Sequence, residues 1–211
     1  MTWIVFDYGE VIAHRPPAAE FARLAGLVGA GSEEGRAAAF EDGYWRYRDK
    51  YDRGMAELDY WQAVGAEAGV EIGPAEAGTL SAADVELWNT LDPQSVELVA
   101  ELAADGRRLA LLSNAPVTHG VAFRTREWAA PFEHFVISGE LGIAKPDPAI
   151  WQALVDRLGG PAGEVLFLDD RAENVAAGRE AGIRAFLWTG ADDARRYIAE
   201  FDAEFPKVTG F

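Results

Sequence analysis

Three short apolar runs in this chain each break off on polar residues, and that pattern constrains the fold more than any other feature. WIVF (3–6) stops at Asp7, LALL at Ser113–Asn114, and VLFL at Asp169–Asp170. Two further runs, HFVIS (134–138) and RAFLW (184–188), have the same apolar character. Beside them lie stretches with the 3.6-residue spacing of helices: Glu97–Leu98–Val99 with Leu102, Ile150–Leu154–Leu158, and Val175–Ala176–Gly178–Ala181. Continuous apolar strands alternating with helices predict an α/β fold with a parallel sheet covered on both faces. Asp92 before Pro93 and Asp147 before Pro148 read as helix starts, and Gly106, Gly159 and Gly182 as helix stops.

Residues 14–90 leave that rhythm. They are rich in Ala, Glu and Arg and show helical spacing without a convincing strand, as in Tyr44, Tyr47, Tyr51 and in Leu58, Trp61, Val64. A helical insertion at 14–90 is expected, set into an α/β core made of residues 1–13 and 91–211. The tail from Phe201 reads either as a frayed end or as a last packing segment.

An apolar content of 49% in 211 residues is ample for a buried core. The net charge of -16 argues against a nucleic-acid partner and against anionic membranes. With no cysteine there is no disulfide, no thiolate nucleophile and no zinc–thiolate site. Strand-like sequence from Trp3 without a charged leader, and the lack of an apolar run near the roughly 20 residues that span a bilayer, predict a cytoplasmic protein. The oligomeric state is left open.

In an open parallel sheet, ligands bind outside the carboxyl ends of the strands, near the switch in strand order. Asp7, Ser113, Asn114, Asp169 and Asp170 therefore fall at one edge, with Lys145 in the rigid segment GIAKPDPAIW nearby. Taken singly, each is an ordinary strand-end or turn residue. Together, Asp7, Asp169 and Asp170 place three carboxylates in one crevice, where they cannot all stay ionised without compensation. A hard divalent cation with oxygen ligands meets that need, and Mg2+ suits carboxylates, water and a phosphate oxygen.

The order of VFDYGEV, LLSNA, GIAKPDP and FLDDRAENVAAGREAGI resembles the four signature motifs of the haloacid dehalogenase-like hydrolase superfamily. The insertion after the first motif resembles that superfamily's helical cap, so the resemblance implies a Rossmann-like core with an inserted cap. It also implies a Mg2+-dependent phosphatase acting on a small phosphorylated metabolite, with a sugar phosphate as one candidate. Asp7 is then the nucleophile and forms an aspartyl-phosphate. Ser113, Asn114 and Lys145 bind the phosphoryl oxygens. Asp7, the Gly9 carbonyl, Asp169 and Asp170 serve the metal, and Asn174 supports them.

Gly9 departs from that pattern. Most phosphatases of the superfamily carry a second Asp there, which protonates the leaving oxygen and later activates water. A subgroup with DLGNV-like first motifs, including bacterial sugar-phosphate phosphatases, shares the glycine and resembles this chain. General acid–base help is typically worth about 10²–10⁴ in rate. Glu10, His14 and His119 are candidate substitutes. Two other readings compete: a metal-independent 2-haloacid dehalogenase using the same aspartate on carbon, and a catalytically weak or inactive binding protein. In the insertion, DGYWRYRDKYDRG sets Tyr44, Tyr47 and Arg48 where they either contact substrate or pack inside the helical unit.

Overall fold

The computed structural model describes residues 2–31 and 35–205. Its centre is a five-stranded, wholly parallel sheet built from β1 (Trp3–Phe6), β2 (Arg108–Ser113), β3 (Phe132–Ile137), β4 (Val165–Asp169) and β5 (Arg184–Leu187). The strand order is β3-β2-β1-β4-β5, which puts β1 in the middle and the reversal of winding beside it. The fold class expected from the apolar runs is therefore the one found.

The runs are continuous because both faces of the sheet are covered. Ile4, Phe6, Leu109, Leu111, Leu166 and Leu168 face one side, where α5 (Pro93–Ala104), α6 (Val117–Phe123) and α10 (Ala191–Glu204) supply Leu98, Phe123 and Ile198. Trp3, Val5, Ala110, Leu112 and Phe167 face the other, against Ile150, Trp151 and Leu154 of α8 (Pro148–Leu158) and Val175 of α9 (Ala172–Glu180). Alternate residues of one strand thus enter two different cores.

The expected helix signals hold. Asp92 and Asp147 accept backbone N–H bonds from Gln94 and Ala149 at the first turns of α5 and α8. Gly159 ends α8 in the left-handed conformation that glycine adopts without strain. The four-residue helix α7 (Ser138–Leu141) directly after β3 is too short to leave a periodic signal, and α6 is scarcely longer. Phe201 is buried within α10 rather than frayed, whereas 206–211 lie outside the described residues.

Between β1 and α5 stand four helices: α1 (Ala18–Gly26), α2 (Arg36–Asp52), α3 (Glu57–Glu67) and α4 (Pro74–Leu87). They enclose a third apolar cluster of their own, with Phe21, Phe40, Tyr44, Tyr60, Trp61 and Leu80 at its centre. Tyr51 stacks on Tyr60 at 4.1 Å between ring centroids. Where α2 ends, the Ser138 hydroxyl donates to the Asp52 carbonyl and also accepts the Ala115 N–H at 2.9 Å. That hydroxyl ties the helical unit to the loop following β2. No helix among the described residues is long and apolar enough to cross a membrane.

Candidate active site

Strand register brings the first two acids together. Phe6 pairs with Leu168, and the Asp7 N–H donates to the Leu168 carbonyl at 2.9 Å, so Asp7 and Asp169 leave neighbouring strands side by side. Asp170 follows, and one carboxylate oxygen from each of Asp7, Asp169 and Asp170 falls within 4.8 Å of the others. On the opposite flank of β1, β2 delivers Ser113 at its last position.

Lys145 arrives from the loop before α8. The Asn114 side chain clamps that loop: its Oδ1 accepts the Lys145 N–H at 2.8 Å and its Nδ2 donates to the Lys145 carbonyl at 2.9 Å. Lys145 is 3% exposed, and its ammonium lies 2.8 Å from Asp7 Oδ1. It donates to Asp169 Oδ2 at 2.6 Å and to the Leu112 carbonyl at 3.0 Å. Burial works against this charge, but Asp7 and Asp169 outweigh it and hold Lys145 above the ordinary lysine value.

The three acids are not equivalent. Asp169 is fully buried and saturated: Oδ1 accepts the Arg171 N–H at 2.8 Å and Asn174 Nδ2 at 2.9 Å, while Oδ2 accepts Lys145. Asp7 takes the Tyr8 N–H and Lys145 on Oδ1 alone, which leaves Oδ2 open. Asp170 is half-buried, and burial followed by the Asp169 charge raises its pKa. Burial above all, then Asp169, pushes Asp7 up to about 7 in spite of Lys145. One ammonium does not neutralise three carboxylates at this spacing.

The donor set fits a hard divalent ion. It is oxygen-only, its three carboxylates outnumber the one ammonium by two when all are ionised, and an open oxygen remains on Asp7. The buried Asn174 Oδ1 has no partner and borders the same space, where it can accept from ion-bound water.

Above these groups lies a cavity of about 290 Å³ bounded by Asp7, Gly9, Ser113, Asn114, Lys145 and Asn174 from the core. The helical unit closes it with Trp45, Arg48, Asp49, Asp52 and Trp88, and His119 of α6 joins the wall. Positions 45, 48, 49 and 52 share one face of α2, which is why these four meet the cavity. Arg48 is committed to fixed partners: Nε donates to Asp52 Oδ1 at 2.7 Å, and Nη1 donates to Asp84 Oδ2 at 3.1 Å and to the Tyr44 hydroxyl.

For two residues of the insertion the structure selects packing over substrate contact. Tyr44 does not line the cavity; it is fully buried behind Arg48, with its hydroxyl donating to Asp84 Oδ1 at 2.6 Å and accepting Trp88 Nε1 at 2.8 Å. Tyr47 lies outside the lining too and donates to Glu67 Oε1 at 2.8 Å. The i, i+3, i+7 spacing identified a helical face correctly, but Tyr44 and Tyr51 turn into the bundle and only Arg48 of the proposed trio reaches the cavity.

The candidate acids separate as well. Glu10, in a left-handed backbone turn, accepts the Arg15 N–H and does not line the cavity. His14 is exposed, 4.0 Å from Asp92. His119 does border the cavity and both ring nitrogens lack a hydrogen bond, with Asp84 Oδ2 3.7 Å from Nε2. Burial, only partly opposed by Asp84, pushes His119 down to about 4, so the ring is neutral at ordinary pH. Gly9 is not held in left-handed backbone, and a Cβ there would meet Trp88 at 3.4 Å, an ordinary contact. Of the cavity-lining residues of the insertion, Asp52 carries little mark in the sequence; its i, i+4 pairing with Arg48 at the end of α2 is the one signal.

Gly139 supports the site from behind. A Cβ on it would stand 2.8 Å from the Ala115 carbonyl oxygen and 2.8 Å from the Val117 nitrogen, both backbone. Gly139→Ala is expected to push the 113–117 loop off its position and lower turnover at least about tenfold, because misplacement by an ångström costs that and more. Unchanged kcat with unchanged melting temperature would contradict this role.

Comparison with known proteins accords with the geometry. A haloacid dehalogenase-like hydrolase family model matches residues 1–182. A phosphoglycolate phosphatase of Yersinia pseudotuberculosis is 32% identical over 99 residues, covering 46% of this chain and 43% of that protein. Bifunctional epoxide hydrolase 2 of Sus scrofa is 35% identical over 79 residues, covering 37% of this chain and 13% of that protein. The chain thus spans less than half the length of these curated relatives. Among solved structures, a HAD family enzyme of Bacteroides thetaiotaomicron in complex with magnesium and inorganic phosphate superposes with a TM-score of 0.69 at 18% identity, covering 90% of this chain and 95% of that one. The L-2-haloacid dehalogenase of Xanthobacter autotrophicus superposes with a TM-score of 0.65 at 18% identity, covering 97% of this chain and 88% of that one. The match over most of the chain, on a parallel sheet with these four motif segments at its carboxyl edge, makes this protein a member of the haloacid dehalogenase-like hydrolases.

Proposed function

We propose that this hydrolase cleaves small phosphomonoesters with the help of Mg2+, through an aspartyl-phosphate on Asp7. The observation that carries the reading is the Asp7–Asp169–Asp170 cluster, bridged by Lys145 at one side only and opening into a closed-over cavity. Displacement of halide from carbon needs no divalent ion, whereas a carboxylate cluster that outnumbers its one ammonium suits a site holding an ion and a phosphoryl group. Relatives described as phosphatases point the same way.

In this reading residues 14–90 form a cap over a core of 1–13 and 91–211. Asp7 Oδ2 attacks phosphorus in line, while the Ser113 hydroxyl and the Lys145 ammonium hold the phosphoryl oxygens. Asn114 acts by fixing Lys145. Asp170 and the Gly9 carbonyl would hold the ion, Asp169 orients Lys145 and Asn174, and the unpartnered Asn174 Oδ1 would be free to accept a hydrogen bond beside it. A bound Mg2+ supplies charge neutralisation at the phosphoryl oxygens and the acid cluster. Arg48, Trp45 and Trp88 enclose the leaving group.

The test is phosphate release from a panel of phosphorylated metabolites and sugar phosphates, with Mg2+ and with chelator. Release that persists at full rate in chelator sinks the metal reading, and halide release from 2-haloacids without phosphatase activity sinks the whole proposal.

Magnesium affinity carries its own pH signature. Asp7, raised to about 7 without the ion, must lose its proton to ligate. Calorimetry in buffers of different ionisation enthalpy is expected to show proton release near about pH 6 that vanishes above about pH 8, with binding weakening as pH falls. Affinity constant between those values would contradict the assignment.

A further inference from the structure

Gly9 leaves open what protonates the departing oxygen and then activates water. His119 is the nearest histidine, but it is neutral at working pH and has no imidazolium proton to give. Asp52 occupies a better position. It ends α2, where the helix has turned its 45–48–49–52 face over the cavity, and its carboxylate is one of the lining groups. Arg48 Nε fixes Oδ1 at 2.7 Å, while Oδ2 takes no hydrogen bond and is left accessible on a residue that lines the cavity. The Asp52 carbonyl is bonded to the Ser138 hydroxyl, which holds the Ala115 N–H two residues beyond Ser113. One hydroxyl thus registers Asp52 directly against the phosphoryl-binding loop.

We infer that Asp52, from the helical unit, is the general acid and base of the reaction, replacing the side chain absent at Gly9. This rests on the phosphomonoesterase reading. In the first step Asp7 Oδ2 forms a bond to phosphorus, the phosphorus–oxygen ester bond breaks, and the leaving oxygen takes the proton of the Asp52 carboxyl. In the second, water attacks the aspartyl-phosphate and gives its proton to the Asp52 carboxylate. The phosphorus–oxygen bond to Asp7 then breaks, inorganic phosphate leaves, and both carboxyl groups return to their starting states.

The environment suits a proton carrier. Burial, opposed by Arg48 and aided by Asp84 and Asp49, pushes Asp52 up to about 6. The carboxyl end of α2 adds negative potential in the same sense. The charged groups around the position are Arg48 and Asp49 on α2, Asp84 on α4, and Lys145, Asp7 and Arg171 on the core side of the cavity, with neutral His119 on α6. A carboxyl that titrates this near neutrality can both give and recover a proton.

The experiment compares aryl phosphomonoesters, whose phenolate leaves unaided, with alkyl phosphomonoesters, whose alkoxide needs a proton. In wild-type protein with Mg2+, kcat/KM is expected to depend only weakly on leaving-group basicity. Asp52→Asn is expected to lose about 10²–10⁴ in kcat/KM, which reports the phosphoryl-transfer step, on alkyl esters and less than about tenfold in kcat/KM on aryl esters, which also demonstrates that the variant folds. Equal losses on both classes overturn the proposal. So does a wild-type dependence as steep as the variant's, a result independent of how Asp52→Asn folds. If wild-type protein hydrolyses neither class, the phosphomonoesterase reading itself has failed.

Discussion

Asp7→Asn is expected to cut phosphate release by roughly 10⁴–10⁶, the scale on which loss of a covalent nucleophile is felt. The asparagine keeps the shape and the Tyr8 N–H contact but cannot take up phosphorus. Stability should move the other way. Asp7 is held protonated up to about pH 7, above its unfolded value of 3.8. A carboxyl raised in this sense contributes stability that is present below the unfolded value and lost as pH rises through the folded one. Wild-type protein without Mg2+ therefore weakens between about pH 4 and pH 7, and the asparagine variant escapes that contribution. The check pairs turnover with melting temperature at about pH 8: an inactive variant at least as stable as wild type is the expected outcome. Turnover within tenfold of wild type removes Asp7 from the role of nucleophile.

Lys145→Met should damage the fold and the chemistry together. Its ammonium is the only cation within reach of both Asp7 and Asp169 among the described residues, at 2.8 and 2.6 Å. Removing one partner of a buried ion pair typically costs about 3–5 kcal/mol, because the remaining charge is left uncompensated. The sign follows from the titrations. Lys145 is raised, so its contribution is intact until pH passes the ordinary lysine range. The cost appears where the carboxylates are ionised, at about pH 8, and shrinks near about pH 5, where Asp7 is protonated in any case. Urea unfolding at the two pH values, without Mg2+, measures it. Equal stability of variant and wild type at the higher pH would show that the acids do not depend on this ammonium, and the cluster would lose its meaning as a site.

The core was legible in the sequence because a strand buried on both faces has no polar alternation to hide in: WIVF, LALL and VLFL are apolar at every position and polar at the next. That edge also marks Asp7, Ser113, Asp169 and Asp170 in the sequence itself. Lys145 followed from its proline-flanked segment and Asn174 only from the family motifs, and the contacts to Asp169 and the Asn114 clamp give their local reasons. The insertion was less legible. Aromatic residues at helical spacing mark a face without saying what it faces, so substrate contact and packing stay open for Tyr44 and Tyr47 until the bundle claims both. Asp52, one acid in a charged helix, has no sequence mark beyond its spacing from Arg48.

Sequence alone determined the layered core, the helical insertion, and the set of polar residues that end the central strands, because burial on two faces and the 3.6-residue period are properties of local composition. Tertiary structure decided the rest: which carboxylate is saturated and which stays open, which face of α2 overlooks Asp7, and where Arg48 spends its charge. Those outcomes depend on contacts between segments as far apart as Asp7 and Asp169, and on how burial shifts each proton equilibrium. No local pattern carries that information, since desolvation and pairing exist only once the helices have closed over the edge of the sheet.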